Sequence, residues 1–390
     1  MSRTAKRRQS YWRRILGQTF VRWGARLGLL WVGILALVGV FAPFLASSFP
    51  LLLSHQGVIS SPVLNYLQPV DVLFLVAFIT LLLLYPWQIT LLRKFLIMLS
   101  VLAVAALFAY LWVKPQQLVI YEQYRVADAA GEYDWVVYAP VPFSPKDYQR
   151  DRGDTGLEAP LSQQSRAHWF GTEQNGADVL SRMVHASRIA LGIGFVATGI
   201  AMLLGIIIGG LMGYFSGVVD ILGMRLVEIF EAVPTLFLLL TFVAFFGRSL
   251  YIMMVIIGIT SWPGYARYVR AEFLRLRKQD FVQAAEAAGL PLPSILFRHM
   301  LPNGMGPVLV AASFGVASAI LAEATLSFLG LGLVDDPSWG EMLNQAVQSS
   351  RFNWWMAAFP GGAIFLTVFA YNLIGESLRD AIDPYLSKSG

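Results

Sequence analysis

Cysteine is absent from the 390-residue sequence, and histidine occurs only four times. Without cysteine, the chain can form neither a disulfide framework nor a thiolate metal site, and it has no cysteine nucleophile. The histidines have no i, i+4 spacing, which would put two metal ligands on one helix face; they are His55, His168, His185 and His299. These absences argue against a metal enzyme.

Charge is also scarce, since only 14% of the residues are charged and 56% are hydrophobic, with a mean hydropathy of +0.60. This composition is typical of a membrane protein. Apolar stretches of roughly 20 residues, the length that crosses a ~30 Å hydrocarbon core, recur along the chain. They predict an all-α polytopic membrane protein with about eight transmembrane helices, at 27–46, 70–87, 95–113, 188–214, 226–246, 250–270, 306–330 and 356–376.

The first 26 residues contain eight basic side chains, and no acidic residue precedes Asp71. By the positive-inside rule, this end of the chain is predicted to be cytoplasmic. The apolar run 27–46 exceeds the ~7 to 15 residues of a signal-peptide core, so we interpret it as an uncleaved first span, with cleavage as the alternative. An even number of spans returns the C-terminal segment to the cytoplasm.

The pattern of spans and loops predicts five regions. A polar stretch with ten acidic and seven basic residues separates two groups of spans and is interpreted as a small extracytoplasmic insert; within it, Tyr133 to Tyr138 is rich in strand formers. The regions are a basic cytoplasmic N-terminus at 1–26, three spans at 27–113, the insert at 114–186, five spans at 187–378 with a cytoplasmic loop at 271–303, and a cytoplasmic C-terminus at 379–390.

Glycines at 205, 209 and 213 recur every four residues in the fourth span. This spacing strips one helix face of side chains and predicts close packing against another helix. A flexible gate at the same glycines is the alternative.

The loop from Asp280 to Asn303 predicts a short helix followed by a second one. Asp280 can cap the first helix, and Gln283 can complete a capping box. Gly289 suits the left-handed residue that ends a helix, and Pro291 and Pro293 prevent its continuation.

Four alanines make this short helix thin: Ala284, Ala285, Ala287 and Ala288. A thin helix can lie deep in a groove of another protein, which favours a docking element. A helix resting on lipid headgroups is the alternative, but such helices usually carry a bulky apolar face.

The loop resembles the Glu-Ala-Ala-x-x-x-Gly signature, ending in Leu-Pro, of binding-protein-dependent ABC importer permeases. Gln283 stands where the signature has glutamate, and Glu286 lies one helical turn later. The matching positions are Ala284, Ala285, Gly289, Leu301 and Pro302.

Further segments resemble the dipeptide, oligopeptide and nickel branch of that family, in particular its C-type subunits. Ala177 departs from the pattern, since a basic residue is usual there. The matching segments are 168–173, 176–182, 326–332, 337–340 and 378–384, so the resemblance covers about 168 to 386 and the first span.

The resemblance implies a type I importer permease core in a bacterial inner membrane, with an extra helical pair at 70–113. The expected partners are a second, related permease, two ATPase subunits or one fused ATPase, an extracytoplasmic solute-binding protein and membrane lipid, but no nucleic acid. The chain has no Gly-x-x-x-x-Gly-Lys-Ser/Thr loop for nucleotide phosphates, so ATP and magnesium would be bound by the partners and this chain would not itself be an enzyme. The residues expected to couple it to the ATPase are Asp280, Gln283, Ala284, Ala285, Glu286, Gly289, Leu301 and Pro302.

The expected substrate is a di- or oligopeptide or a peptide-like solute, with nickel or another small solute as the alternative. A channel or secondary transporter without an ATPase is the competing class, but the halves of the sequence show no internal repeat.

Two residues in the spans are candidates for the pathway or its gate. Glu323 is a carboxylate at membrane depth, which is costly unless it has a function or a partner; a packing role is the alternative. Pro234 can kink the fifth span. Trp354 and Trp355 are interpreted as interfacial residues, with contact to a binding protein as the alternative; for Trp339 the two interpretations stay equally open.

Overall fold

The computed structural model describes residues 17–114, 118–153, 155–162, 168–333 and 336–382. Most of the predicted basic N-terminus and residues 383–390 of the predicted C-terminal segment lie outside the described residues. The described residues form two compact units. The first unit comprises 17–33, 189–333 and 361–382, and the second comprises 34–188 and 336–360.

Helices account for most of the described chain, and each predicted span coincides with helical residues. In chain order they are α1 (Trp23–Val40), α2 (Ala42–Leu45), α3 (Pro69–Leu84), α4 (Leu91–Trp112), α5 (Gln123–Ala129), α6 (Val179–Phe215), α7 (Gly217–Ala232), α8 (Thr235–Phe246), α9 (Leu250–Leu276), α10 (Asp280–Ala287), α11 (Leu301–Leu326), α12 (Trp339–Gln348) and α13 (Trp354–Ile382). Two π-helical segments, Ser294–Met300 and Ser327–Leu331, flank α11.

The predicted number of eight spans is not confirmed. Among the described residues, five helical segments are long and apolar enough to cross a membrane, and α7 with α8 makes a sixth if the pair is one span. The predicted span 226–246 is broken, because Val233 and Pro234 have extended backbone angles and the two helices are bent by 81°. The predicted span 70–87 corresponds to α3, whose 16 residues are fewer than the roughly 20 that a span needs.

In the first unit, α6 packs closely against α9 along the glycine stripe. A Cβ atom added to Gly205 would lie 2.3 Å from the Cβ of Tyr265, and one added to Gly209 would lie 2.3 Å from the carbonyl oxygen of Ala266. At Gly213 the nearest atom would be 2.6 Å away. These distances confirm the predicted close packing, because no larger residue fits there without moving a helix.

The second unit contains a small antiparallel sheet of three strands, β1 (Leu52–His55), β2 (Val58–Ser60) and β3 (Trp135–Val137), in the order β2-β1-β3. Leu53 pairs with Ser60 on one side and with Val136 on the other. The segment 133–138, which is rich in strand formers, therefore contains one of the three strands. A separate cluster of buried apolar residues, which includes Phe143 and Val184, packs beside the end of α1 and α2.

Candidate functional site

The predicted docking helix is α10. It begins after Gln279, which has the extended backbone of an N-cap residue, so that Asp280 is the first residue inside the helix. Among the described residues no side chain caps this end, and the predicted capping box of Asp280 and Gln283 is wrong. A residue already inside the helix cannot take the extended conformation that lets an N-cap side chain reach back to the helix amides. The negative charge of Asp280 still interacts favourably with the positive, N-terminal end of the helix dipole.

Gly289 ends α10 as the sequence predicts. Its φ of +69° lies in the left-handed region. The Gly289 amide donates to the Glu286 carbonyl oxygen at 2.9 Å, and the Leu290 amide donates to that of Ala285 at 3.2 Å. A Cβ atom at this position would have nothing within 4 Å, so glycine is favoured here by backbone conformation and not by space.

One side of α10 holds it to the first unit. Val282 and Ala285 are buried in a core cluster that also contains Phe273 of α9 and Met300 of the π-helical segment. The other side is exposed, and it presents Gln283, Ala284, Glu286 and Ala287. Ala285 therefore belongs to the anchoring side, whereas Ala284 belongs to the free side.

The second part of the signature lies in a different element. After the proline-rich turn, Ser294–Met300 forms a π-helical segment, and Leu301 and Pro302 begin α11. Leu301 is half-buried against the core cluster that holds Val282, whereas Pro302 is exposed. The loop thus connects α10 to both α9 and α11 through one apolar core.

A cavity of about 680 Å³ opens beside the exposed side of α10. Its wall is mixed in charge, with two cations from the end of α9 and Glu286 of α10. The lining residues are Tyr214, Phe215, Arg277, Lys278, Gln283, Glu286, Leu290 and Ile295.

Two ion pairs join α7 to α9 close to this region. Arg270 binds Asp220 through two of its guanidinium nitrogens, Nε and Nη2, the latter at 2.7 Å, and Arg267 pairs with Glu231. Sequence reasoning missed these pairs, because the partners are 50 and 36 residues apart in the chain. They fix the broken helix pair to the helix that leads into α10.

Pro234 lies at the break between α7 and α8 and is the residue that precedes α8. Glu323 is buried within α11, 2% exposed, and accepts a hydrogen bond from the Ser327 hydroxyl at 2.6 Å. The structure does not bring these two pathway candidates together with α10. The buried position of Glu323 is consistent with the packing alternative.

A buried ionic cluster in the second unit was not predicted. Arg182, near the start of α6, places its Nε 2.7 Å from Glu173 Oε1, and its Nη2 donates to Glu341 Oε2 at 2.5 Å. Burial raises the pKa of Glu173 to about 8, although Arg182 acts to lower it. Nearby, His168 Nδ1 lies 2.7 Å from Asp178 Oδ2. These residues come from separate motifs of the sequence, and their spacing in the chain gives no sign that they meet.

The tryptophans near this cluster are not a simple interfacial belt. Trp339 is 3% exposed and Trp355 is 7% exposed, and each indole NH donates to a backbone carbonyl oxygen, of Met183 and Thr172 respectively. Only Trp354 is exposed as an interfacial residue should be. The interfacial interpretation is therefore wrong for Trp355, because packing within the second unit already occupies it. For Trp339 the interfacial position, one of the two open alternatives, is excluded for the same reason.

Comparison with known proteins identifies the family of this chain. The family model of the binding-protein-dependent transport system inner membrane component matches residues 205–388. The chain is 37% identical over 249 residues to the dipeptide transport system permease protein DppC of Alkalihalophilus pseudofirmus, which covers 64% of this chain and 80% of that protein. It is 38% identical over 251 residues to the oligopeptide transport system permease protein OppC of Escherichia coli, covering 64% and 82% respectively.

A third relative, the oligopeptide transport system permease protein OppC of Haemophilus influenzae, is 39% identical over 218 residues, covering 56% of this chain and 70% of that protein. Among solved structures, a chain of the MetNI methionine ABC transporter in an inward-facing conformation has a TM-score of 0.43 and 17% identity, covering 52% of this chain and 98% of that one.

The similarity in sequence to these relatives shows that this chain belongs to the family of binding-protein-dependent transport system inner membrane components. It is a membrane permease component of an ABC transporter.

Proposed function

We propose that this chain is one of two permease subunits of an ABC importer and that it carries di- or oligopeptides across a bacterial inner membrane. The substrate is supported by the names of its relatives, which are dipeptide and oligopeptide permeases. The sequence has no phosphate-binding loop of the Gly-x-x-x-x-Gly-Lys-Ser/Thr type. ATP and magnesium therefore belong to partner ATPase subunits, and a solute-binding protein delivers the peptide from outside.

The exposed side of α10 is the observation that carries the proposal. It is narrow because of Ala284 and Ala287, and it adjoins the concave surface lined by Arg277, Lys278 and Glu286. A partner ATPase can receive this helix in a groove. Both termini are then cytoplasmic, on the same side as α10.

The anchoring side of α10 supplies the mechanical connection. Val282 and Ala285 share a core with α9 and α11, so α10 cannot move far without moving those helices. Closure of the ATPases on ATP shifts the equilibrium between inward- and outward-open states through its different affinity for the two. The ion pairs of Arg267 and Arg270 extend the same connection to α7.

The test is to express the tagged chain with its neighbouring genes, purify it, identify every co-purifying protein and measure ATP hydrolysis and peptide uptake in vesicles. Ala284→Arg adds bulk to the exposed side of α10, whereas Ala284→Ser changes its size little and serves as the matched control. We expect an ATPase and a second permease to co-purify and only the arginine variant to lose uptake. Purification of the chain alone, without any ATPase, would instead favour a channel or secondary transporter.

A further inference from the structure

Helices α6, α9 and α11 of the first unit line a cavity of about 280 Å³. We call it the hydroxyl cavity, because five of its lining side chains carry hydroxyl groups: Thr198, Ser261, Tyr265, Tyr268 and Ser318. Thr198 and Tyr265 are buried, whereas the other three are exposed, so the cavity is open on one side. Its volume is close to the lower end of the roughly 300–1,000 Å³ that is usual for small-molecule sites.

Because Gly315 has no side chain, there is room for Tyr265 and Thr198, which form the inner wall of the cavity. A Cβ atom added there would lie 1.7 Å from the Tyr265 hydroxyl oxygen and 3.5 Å from Thr198 Cγ2. The Tyr265 hydroxyl donates to the Ala311 carbonyl oxygen at a long 3.4 Å. The ring of Tyr265 can therefore hold its place beside Thr198 only because α11 has no side chain at Gly315.

Several hydroxyl groups elsewhere in the spans are satisfied by their own helices. Those of Thr241, Thr325 and Ser100 each donate to a carbonyl oxygen four residues earlier. This bond removes the cost of a polar group in lipid.

The hydroxyl cavity differs from this pattern. The hydroxyls of Ser261 and Ser318 make no hydrogen bond to any residue that the structure describes. The buried Thr198 hydroxyl interacts with the Tyr265 hydroxyl, but no partner meets normal hydrogen-bond geometry. A buried hydroxyl without a well-placed partner costs roughly 1–3 kcal/mol, so the Thr198 hydroxyl has hydrogen-bonding capacity to offer to something in the cavity. Ser261 and Ser318 are exposed to the cavity and can bond the same occupant.

The lining residues that the structure describes include no charged side chain and no histidine. A metal chelate therefore has no ionic or imidazole partner here. Hydroxyls can both donate and accept, which suits the N–H and C=O groups that every peptide carries. Recognition through these groups would not depend on the sequence of the peptide.

We propose that the hydroxyl cavity binds the main-chain amides of the peptide in transit and is this subunit's half of the passage. The inference rests on the proposed function and adds to it the place and the chemistry of substrate contact. The hydroxyls of Thr198, Ser261 and Ser318 provide the polar contacts, and Gly315 keeps the cavity open.

The first test is uptake of a dipeptide by the complete importer in lipid vesicles at saturating binding protein. Thr198→Val removes one hydroxyl at nearly constant volume, and Thr241→Val, whose hydroxyl bonds its own helix, is the matched control. We expect Thr198→Val to raise the half-saturating dipeptide concentration or lower the rate by about fivefold, and Ser318→Ala to have a similar effect. A dipeptide methylated on its amide nitrogen should be carried more slowly than its parent by the unsubstituted importer, with a smaller difference in Thr198→Val.

The second test uses the absence of native cysteine from this chain. Ser318→Cys is treated with a charged, water-soluble thiol reagent in the complete importer, with Ser100→Cys on the exposed α4 as the control and the unsubstituted complex as the background. We expect Ser318→Cys to react faster than Ser100→Cys and to be protected by the dipeptide during turnover. This readout reports access to the cavity even where a variant transports poorly.

The outcomes separate the two proposals. If the unsubstituted importer carries other solutes but no peptide, the proposed function and this inference both fail. If it carries peptide but Thr198→Val and Ser318→Ala behave like Thr241→Val, only the inference fails. Labelling of Ser318→Cys no faster than that of Ser100→Cys would show that lipid fills the cavity and would also overturn the inference.

Discussion

The guanidinium group of Arg188, in α6, forms an ion pair with the carboxylate of Asp71, near the start of α3. The same guanidinium donates to the carbonyl oxygens of Gly39 and Val40 at the end of α1 and lies over the ring of Phe74 at 5.4 Å. Both charged side chains are largely buried, with 13% and 6% of their surface exposed. One cation thus joins three helices and ties the extra helical pair to the rest of the second unit.

Removing the charge of Asp71 should therefore be costly. We expect Asp71→Asn to lower the free energy of unfolding by roughly 3–5 kcal/mol, because Arg188 is left as a buried cation without its counter-ion. The midpoint of thermal unfolding of the purified complex in detergent measures the effect.

Glu228→Gln is the control for that experiment. Glu228 pairs with Arg225 on an exposed helix surface, where the side chains are 48% and 70% exposed. A surface pair of this kind contributes at most about 1 kcal/mol, so the midpoint should hardly change. Equal effects of the two substitutions would show that burial of the Asp71 pair has no energetic consequence.

The glycine stripe gives a second prediction. In Gly209→Ala the new Cβ would meet the Ala266 carbonyl oxygen at 2.3 Å, so α6 and α9 must separate. We expect a loss of about 1–3 kcal/mol in unfolding free energy. Gly199→Ala in the same helix meets nothing within 4 Å and should be neutral or slightly stabilising, since alanine is the better helix former. The midpoints of thermal unfolding of the two variants test this prediction. A Gly209→Ala variant as stable as the unsubstituted protein would contradict the close packing of α6 against α9.

Glu173 makes stability depend on pH. Its pKa is raised from 4.5 to about 8 in the folded chain, chiefly by burial, so folding favours the protonated acid. Its contribution to stability is complete below about pH 4.5 and is lost as the pH rises through about 8. In Glu173→Gln the side chain is always neutral, and we expect the unfolding temperature to fall less between pH 5 and pH 8 than it does in the unsubstituted protein. Parallel pH profiles for the two proteins would contradict this assignment.

The turn that ends α10 gives a further prediction. At a φ of +69°, alanine in place of Gly289 costs roughly 1–2 kcal/mol, whereas asparagine is tolerated better in the left-handed region. We expect Gly289→Ala to reduce ATP hydrolysis that is stimulated by the loaded binding protein, with Gly289→Asn closer to the unsubstituted complex. If the two variants are equally impaired, the effect comes from bulk in the docking groove and not from the backbone.

Local patterns were predicted well from the sequence where a single segment contains the cause. The helical end at Gly289 and the packing of Gly205, Gly209 and Gly213 depend on backbone preferences or on residue size. The capping box of Asp280 was predicted wrongly, because the start of α10 is also set by packing of Val282 and Ala285 against distant helices.

Long-range polar contacts could not be predicted. Arg182 meets Glu341, and Arg270 meets Asp220, across separations of 159 and 50 residues, and no pattern in either segment indicates its partner. The break at Pro234 illustrates the same limit, since a proline in an apolar stretch is compatible with a kink, a tolerated first turn or two separate helices.

The sequence by itself determined that this chain is a helical membrane protein of the importer-permease family, because hydrophobic length and an ordered set of local motifs are properties of consecutive residues. Only the tertiary structure decided which face of α10 is free and which is anchored. It alone brought Thr198, Tyr265 and Ser318, from three separate helices, to one uncharged cavity. The physical reason is that burial and hydrogen-bond partners arise from helix packing, which joins residues far apart in the chain.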